Sequence, residues 1–269
     1  MIALPPLDSP APPLAELRNL SMRWGRTTVL DGVNLSLQPG EQLVVVGPSG
    51  AGKSTILRLL AGLLLPSSGS LLLHGEPQTY LRIDQENPPD VRLVFQNPAL
   101  LGSLTVRENV GFLLYRYGRL KEGEIRQRVA EALEAVGLSG IEERLPGELS
   151  GGMQKRVSFA RALIPAPQLL DSPQMPLLLF DEPTAGLDPV ACTRIEDLIV
   201  RTTAVAQASS VVVSHVHSTI ERTGGQIVML YDGIFRWAGD LEAYRHTDNP
   251  YVMQFRSGSL RGPIQPAEA

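Results

Sequence analysis

The sequence predicts an α/β fold with a parallel-sheet core, an antiparallel β layer near the N-terminus and a helical region in the middle of the chain. Three short apolar runs, 43–46, 177–180 and 211–213, are each followed at once by polar or glycine residues. Short runs that are apolar at every position suit strands buried on both faces, as in a parallel sheet covered by helices. Ligands of such proteins bind outside the carboxyl ends of the strands, so the residues after each run are candidates for a functional site.

Composition narrows the class of protein. The 269 residues are 43% hydrophobic and 19% charged, which is enough apolar material for a packed core. The formal net charge of −4 argues against an electrostatic binder of nucleic acid, although it leaves room for a local basic patch. A single cysteine, Cys192, excludes an internal disulfide, suits a reducing compartment and is typical of a small core residue. The leucine-rich segment 59–73 is too interrupted by Gly, Pro and Ser for a membrane helix of about 18 apolar residues.

The first 38 residues divide into two parts. Residues 1–17 carry five prolines and no Lys or Arg, unlike a secretory signal or an Arg-rich transit peptide. We expect a loose, extended lead-in over residues 1–13. The segments 14–24 and 27–38 alternate more and end at the turn pair Pro39-Gly40, which predicts the antiparallel layer.

The middle of the chain, from about residue 97 to residue 163, has a helical pattern. It is clearest over 122–136, where apolar residues recur on one helical face and Gly137 stands where a C-terminal cap belongs. That face is predicted to be core. Leu100, Leu101 and Leu104 are either an apolar docking surface or further core residues.

The end of the chain predicts a hairpin and a free terminus. Segments 226–230 and 234–238 flank Tyr231-Asp232-Gly233, a pattern typical of a β-hairpin. From Pro263 onward the sequence shows no feature that would tether it to the fold.

A glycine-rich motif follows the first apolar run. Gly47-Pro48-Ser49-Gly50-Ala51-Gly52-Lys53-Ser54 is a complete G-x-x-x-x-G-K-S match, and a helical stretch begins near Thr55, which we include in the site. Glycines let backbone N–H groups curve around phosphate oxygens, and the helix N-terminus adds partial positive charge. We expect Lys53 to reach the β- and γ-phosphates and Ser54 to coordinate Mg²⁺. The order of strand, loop and helix disfavours an incidental glycine-rich turn.

An acidic pair follows the second apolar run. Asp181, at the end of the predicted strand, is positioned to hold Mg²⁺ directly or through water. Glu182 is positioned to polarise an attacking water, and such general-base assistance is typically worth about 10²- to 10⁴-fold in rate. An acidic pair after a strand can instead cap a helix, but the phosphate loop in the same chain favours the catalytic interpretation.

The third motif, Leu149-Ser150-Gly151-Gly152-Met153, precedes the helical stretch 154–163 and predicts a second anion-receptive helix N-terminus. Together the three motifs resemble those of the ATP-binding-cassette (ABC) ATPases, whose LSGGQ-type signature is matched except at Met153. The resemblance spans about residues 14–239. It implies ATP hydrolysis on a P-loop NTPase fold with a RecA-like core and a helical subdomain over about 97–163. It also implies a head-to-tail dimer, in which Ser150, Gly151 and Gly152 close on the nucleotide of a second protomer.

The resemblance implies roles for four more residues, with ATP and Mg²⁺ as ligands. Trp24 matches the aromatic residue that stacks on adenine, although a lone Trp in a strand is more often core. Gln96 matches the glutamine that senses Mg²⁺ and contacts the transmembrane partner. Asp188 matches the loop that signals across the dimer, and His215 matches the histidine that contacts the γ-phosphate.

The chain departs from the family pattern in two places. Residues 168–175 look like an insertion before the acidic motif, and the prolines in and around it predict an exposed loop. Val216 replaces a commonly acidic residue, which affects fine control of the switch histidine rather than hydrolysis. The neighbouring His217 has no family role and is expected at the surface or in packing.

The C-terminal segment 249–264 resembles the tail of ATPases that serve MCE-domain lipid transporters. These include the maintenance-of-lipid-asymmetry system of Gram-negative bacteria and the chloroplast trigalactosyldiacylglycerol lipid importer. Segment 214–220 and the insertion look closer to the chloroplast type, whereas the N-terminus favours a bacterial relative. A generic tail that merely completes the fold is the competing interpretation.

We therefore expect an ATPase domain at residues 14–245 with a tail at 246–269, located peripherally on the cytoplasmic face of the inner membrane. The implied partners are a second protomer, a transmembrane permease and an MCE-domain lipid-binding protein, with no nucleic acid. A motor for lipoprotein release, metal or amino-acid transport is the serious competitor. A soluble ABC ATPase that acts on DNA or in translation would usually carry insertions or a second cassette. A nucleotide kinase would have no use for the signature motif.

Overall fold

Two sheets and a set of helices make up the computed structural model, which describes residues 12–165, 169 and 174–265. In chain order the elements are β1 (Ala15–Trp24), β2 (Thr27–Leu37), β3 (Gln42–Val46), α1 (Lys53–Leu60), β4 (Ser68–Leu73), β5 (Glu76–Pro77), β6 (Val91–Val94), α2 (Val106–Val110), α3 (Phe112–Tyr117), α4 (Glu122–Ala135), α5 (Gly151–Leu163), β7 (Leu177–Asp181), α6 (Pro189–Val205), β8 (Ser209–Val213), α7 (His217–Thr223), β9 (Gln226–Tyr231), β10 (Ile234–Asp240), α8 (Leu241–His246) and α9 (Pro250–Ser257). Among the described residues, no helix is both long and apolar enough to cross a bilayer.

The larger sheet has the strand order β10-β9-β3-β8-β7-β6, and every pair except β9 with β10 is parallel. The three apolar runs form β3, β8 and β7, which are neighbours at its centre. The smaller sheet is antiparallel, with the order β2-β1-β4-β5. The predicted α/β fold with a parallel core and an antiparallel layer is confirmed.

The parallel sheet separates two hydrophobic cores, which explains why its central strands are apolar at every position. Val45 and Val211 pack with α1 and the antiparallel sheet. Their neighbours Val44 and Val212 point to the opposite face and pack with the helices there. All four side chains are fully buried, and full burial of a valine is worth about 1.5–3 kcal/mol.

The helices predicted in the middle of the chain are present. Ile125, Val129 and Leu133 of α4 are buried, and Gly137 adopts the left-handed conformation (φ +67°) just beyond the helix. A two-residue turn, Asp232-Gly233, joins β9 and β10, and both residues have the positive φ that tight hairpins need. Phe159 of α5 stacks on Phe180 of β7 at 5.4 Å, so the signature helix packs against the strand that ends in Asp181.

The end of the described chain is tethered, contrary to expectation. Ile264 is buried, and its backbone N–H donates to Oε1 of Gln254 on α9 at 2.7 Å. Nε2 of Gln254 donates in turn to the Ile264 carbonyl at 2.9 Å and to the Ser259 carbonyl at 3.1 Å. The side-chain amide of Gln254 thus hydrogen-bonds to the backbone where the chain folds back onto α9. The expectation of a free end from Pro263 is therefore wrong as far as Gln265.

Two other expectations fall largely on residues that the structure does not describe. The loose lead-in over 1–13 is described only at Pro12 and Pro13. The exposed loop over 168–175 is described only at Leu169, which is buried, and at Gln174 and Met175, which are exposed. The expectation is therefore wrong at Leu169, and the rest of both expectations stays a prediction.

We expect Gln254→Ala to lower the free energy of unfolding by about 1–3 kcal/mol, because three hydrogen bonds to the returning backbone are lost. Equilibrium urea denaturation would measure the change. Met253→Ala is the matched control, since Met253 is next to Gln254 and its own side chain is exposed. Equal stability of the two variants would show that the 259–265 segment is not held by Gln254.

Candidate functional site

Three loops meet at the carboxyl edge of the parallel sheet. The glycine-rich loop follows β3, Asp181 ends β7 with Glu182 directly after it, and His215 follows β8. Because these strands are adjacent and parallel, their following residues converge at one edge. The sheet topology therefore brings the residues of the separate motifs together.

The glycine-rich loop is held against neighbouring backbone. Gly47 has φ +152°, and a Cβ there would lie 2.2 Å from the carbonyl oxygen of Leu230. Gly52 has φ +102°, and its Cβ would lie 2.9 Å from the carbonyl oxygen of Val29. Side chains at these two positions would collide with backbone atoms, so the neighbouring backbone would have to shift to admit them. The loop is thus a narrow cradle that leads directly into α1 at Lys53.

Lys53 is only 6% exposed. Its Nζ donates to the carbonyl oxygens of Gly47 at 2.8 Å and Pro48 at 3.0 Å, and lies 3.5 Å from Oε1 of Glu182. Burial lowers the pKa of Lys53, and the negative charge of Glu182 partly opposes that effect. The ammonium group of Lys53 is therefore held against the loop, and the carboxylate of Glu182 lies beside it.

Ser54 and Asp181 connect the glycine-rich loop to the acidic motif. The Ser54 hydroxyl donates to Oδ1 of Asp181 at 2.8 Å. Burial raises the pKa of Asp181, while the hydrogen bond from Ser54 works in the opposite direction. A hydroxyl and a carboxylate at a phosphate-binding loop are hard oxygen donors, which fit Mg²⁺ held with nucleotide phosphates and water.

Glu182 and His215 form a close pair. Nδ1 of His215 lies 2.9 Å from Oε2 of Glu182, and the backbone N–H of His215 donates to the same oxygen at 3.4 Å. Glu182 is 9% exposed and has φ +44°, a left-handed conformation that is rare for a residue with a side chain. Strain of this kind, about 1–3 kcal/mol, clusters at active sites where the surroundings fix the residue.

The remaining predicted residues lie at exposed positions outside this cluster. Trp24 ends β1 and is 49% exposed, so it is not a core residue. Gln96 is exposed two residues after β6. Among the described residues, neither of them hydrogen-bonds to Lys53, Asp181 or Glu182.

The signature residues and Asp188 lie at the beginnings of two helices. Ser150 caps α5 by accepting from Met153 N–H at 3.3 Å, and Gly151 and Gly152 are exposed in its first turn. Asp188 caps α6, because its Oδ1 accepts from the backbone N–H groups of Val190 at 2.9 Å and Ala191 at 3.0 Å in the first turn. Within the described part of the chain, these polar ends do not bond to the Lys53 cluster.

The competing interpretations of the leucines and the surface residues are partly resolved. Leu100 packs partly on the helix-side core, whereas Leu101 is exposed and Leu104 lines a surface pocket. His217 is exposed and Cys192 is buried, as expected.

Two parts of the site escaped sequence reasoning. The backbone carbonyls of Leu230 and Val29 wall the loop, and no side-chain pattern marks a carbonyl. Glu196 is a fully buried carboxylate that accepts hydrogen bonds from α7, the helix that follows His215. Its one sequence signal is an acidic residue beside Ile195 on the buried face of α6.

Comparisons with known proteins identify the family. A family model described as "ABC transporter" matches residues 30–185. The chain is 46% identical to "Protein TRIGALACTOSYLDIACYLGLYCEROL 3, chloroplastic" of Arabidopsis thaliana, over 96% of this chain and 78% of the relative. It is 36% identical to "Probable ribonucleotide transport ATP-binding protein mkl" of Mycobacterium leprae, over 94% and 71%. It is 37% identical to "Fe(3+) ions import ATP-binding protein FbpC" of Escherichia coli O157:H7, over 89% and 66%.

Solved structures show the same architecture. CbiO1 from Clostridium perfringens, part of an ABC transporter complex, superposes with a TM-score of 0.74 at 27% identity, covering 91% of this chain and 96% of that one. A dimeric ATP-binding cassette in a post-hydrolysis state, bound to ADP and Pi, superposes with a TM-score of 0.71 at 29% identity, covering 84% and 98%. This chain belongs to the ABC transporter family as an ATP-binding subunit with ATPase activity.

Proposed function

We propose that the chain powers lipid transport by an MCE-type membrane complex, with ATP hydrolysed at the cluster around Lys53 and Glu182. The observation that carries the lipid assignment is the 46% identity, over 96% of this chain, to a relative whose name contains the galactolipid trigalactosyldiacylglycerol. The resemblance of segment 249–264 to the tails of MCE-transporter ATPases supports the same assignment.

The cluster supplies the parts that phosphoryl transfer to water requires. The cradle between Gly47 and Gly52 presents backbone N–H groups to phosphate oxygens, and Lys53 adds positive charge at the phosphates. Ser54 and Asp181 would hold Mg²⁺, with Gln96 proposed as its sensor, and the bound ion would neutralise charge on those oxygens.

Hydrolysis itself falls to the pair of Glu182 and His215. The buried carboxylate of Glu182 orients a water and accepts its proton as the water oxygen bonds to the γ-phosphorus and the bond from that phosphorus to the bridging oxygen breaks, releasing ADP. His215, bonded to the same carboxylate, fixes its direction and contacts the γ-phosphate. Trp24, half-exposed at the end of β1, offers its ring to adenine.

The exposed helix starts fit a head-to-tail dimer. Ser150, Gly151 and Gly152 are exposed at the start of α5, so their backbone N–H groups are available to the nucleotide of a second protomer. Asp188 begins the neighbouring helix and is exposed as well. We propose that this dimer, with its ATPase domain at residues 14–245, docks a permease from the cytoplasmic face of the membrane.

Other cargoes are the second candidate, because the mycobacterial relative is named for ribonucleotides and the Escherichia coli relative for Fe(3+). The decisive experiment tags the native chain, solubilises membranes gently and identifies copurifying proteins by mass spectrometry. We expect a polytopic permease together with an MCE-domain protein, and none with the untagged strain. A permease accompanied by a soluble solute-binding protein would overturn the lipid assignment while leaving the ATPase intact.

A further inference from the structure

Besides Glu182, a second carboxylate is buried next to α7, the helix that follows His215. Glu196, on α6, is 0% exposed. Its Oε1 accepts hydrogen bonds from the hydroxyls of Ser218 at 2.6 Å and Thr219 at 3.0 Å, both on α7. Nε of Arg222 lies 3.1 Å from Oε2, as an ion pair that is not aligned for a hydrogen bond. A buried charge is costly unless such partners hold it, so this arrangement is tightly specified.

Hydroxyl groups connect Glu196 by hydrogen bonds to the loop that carries Glu182. Oγ1 of Thr219 lies 2.9 Å from Oγ1 of Thr184, and both threonines are fully buried. A carboxylate only accepts, so Thr219 donates to Glu196 and Thr184 donates to Thr219. This directed chain of hydrogen bonds ties the loop after β7 to the first turn of α7.

Both threonines of this hydrogen-bonded chain lie close in sequence to the reacting pair, Glu182 and His215. Thr184 is two residues after Glu182, and Thr219 is four residues after His215. Glu182 has the left-handed conformation (φ +44°), which persists only where the surroundings fix the backbone. The hydrogen bonds that Glu196 accepts hold the start of α7, and the bond between Thr184 and Thr219 connects α7 to the loop after β7. These two segments follow Glu182 and His215, whose side chains lie 2.9 Å apart.

We propose that Glu196 is a positioning residue for hydrolysis, which holds Glu182 and His215 in register through Thr219 and Thr184. The inference rests on the proposed role of Glu182 in activating water. It assigns to α6 a task inside the active site of its own protomer, in addition to the cap formed by Asp188.

Glu196→Gln tests this proposal because the amide keeps the volume but loses the charge that holds Arg222 and brings N–H groups into an acceptor site. We expect kcat to fall by about 10- to 100-fold, since small misplacements of reacting groups cost this much. The KM for ATP and the affinity for nucleotide should stay within about twofold, because the phosphate loop is not altered. Asp197→Asn is the matched control, since Asp197 also pairs with Arg222 at 3.1 Å but is exposed.

A second pair of variants tests the hydroxyl chain and keeps the proposal testable if Glu196→Gln fails to fold. Thr219→Val breaks the chain and should lower kcat selectively. Thr223→Val removes a buried hydroxyl whose one hydrogen bond among the described residues goes to the Thr219 carbonyl in the same helix, and this variant should keep a normal kcat. Amide hydrogen exchange should accelerate at 182–185 and 215–219 in Glu196→Gln and Thr219→Val, and in neither control.

Each alternative result has one meaning. Normal kcat in folded Glu196→Gln or Thr219→Val, or a loss no greater than in the paired control, would overturn the positioning role. A parallel loss of nucleotide affinity would also overturn it, because the effect would then lie in binding. Normal turnover by Glu182→Gln would instead contradict the proposed role of Glu182, a separate failure that this series distinguishes.

Discussion

Glu182→Gln is expected to bind ATP with nearly wild-type affinity and to hydrolyse it about 10²- to 10⁴-fold more slowly. The amide has the shape of the carboxylate but cannot accept the proton of the attacking water. It also replaces the acceptor of the 2.9 Å contact with Nδ1 of His215. The rate of phosphate release at saturating ATP measures hydrolysis, and an equilibrium nucleotide titration measures binding separately.

The same variant should accumulate the closed dimer, because ATP stays intact between two protomers. Size-exclusion chromatography with ATP would show a shift to the dimer that ADP does not produce. Glu131→Gln, on the exposed face of α4, is the control and should behave as wild type. Normal turnover by Glu182→Gln would remove Glu182 from the role of base and leave water activation to another group.

The local structure and the positions of residues in contiguous motifs could be predicted from the sequence. The run from Gly47 to Ser54 specifies its own loop, because the conformations that bind phosphate require glycine at fixed spacings. Asp181 and Glu182 were predictable for a related reason, since a buried strand that stops at two carboxylates leaves both at the sheet edge. In each case the chemistry and the local structure depend on the same few neighbouring residues.

What the sequence could not predict depends on contacts between distant segments. The collision that makes glycine necessary at position 47 is with Leu230, on a strand far along the chain. Glu196 resembles any acidic residue of an amphipathic helix, and only the packing of α7 onto α6 encloses it. The tethering of Ile264 by Gln254 was missed for the same reason, because a reciprocal amide–backbone pair has no compositional signal.

Lys53→Ala is expected to weaken ATP binding by about 10- to 100-fold, because a hydrogen bond to a charged group contributes about 1.5–3 kcal/mol and each 1.4 kcal/mol is tenfold in affinity. The loss of affinity should exceed that caused by removing an exposed lysine, since the buried charge of Lys53 is held at the loop and is poorly screened by water. A nucleotide titration of the folded variant measures the loss. Lys121→Ala, at an exposed position before α4, is the control.

Lys53→Arg distinguishes charge from fit. The Nζ of Lys53 lies within 3.0 Å of two loop carbonyls in a space that leaves the residue 6% exposed, which a planar guanidinium cannot occupy without displacing the loop. We therefore expect Lys53→Arg to bind ATP nearly as poorly as Lys53→Ala, even though its charge is kept. If Lys53→Arg restores wild-type affinity, the loop supplies only electrostatic attraction. If Lys53→Ala keeps that affinity, the phosphates do not lie in this cradle, because removal of its buried cation would then have no effect on an anionic ligand.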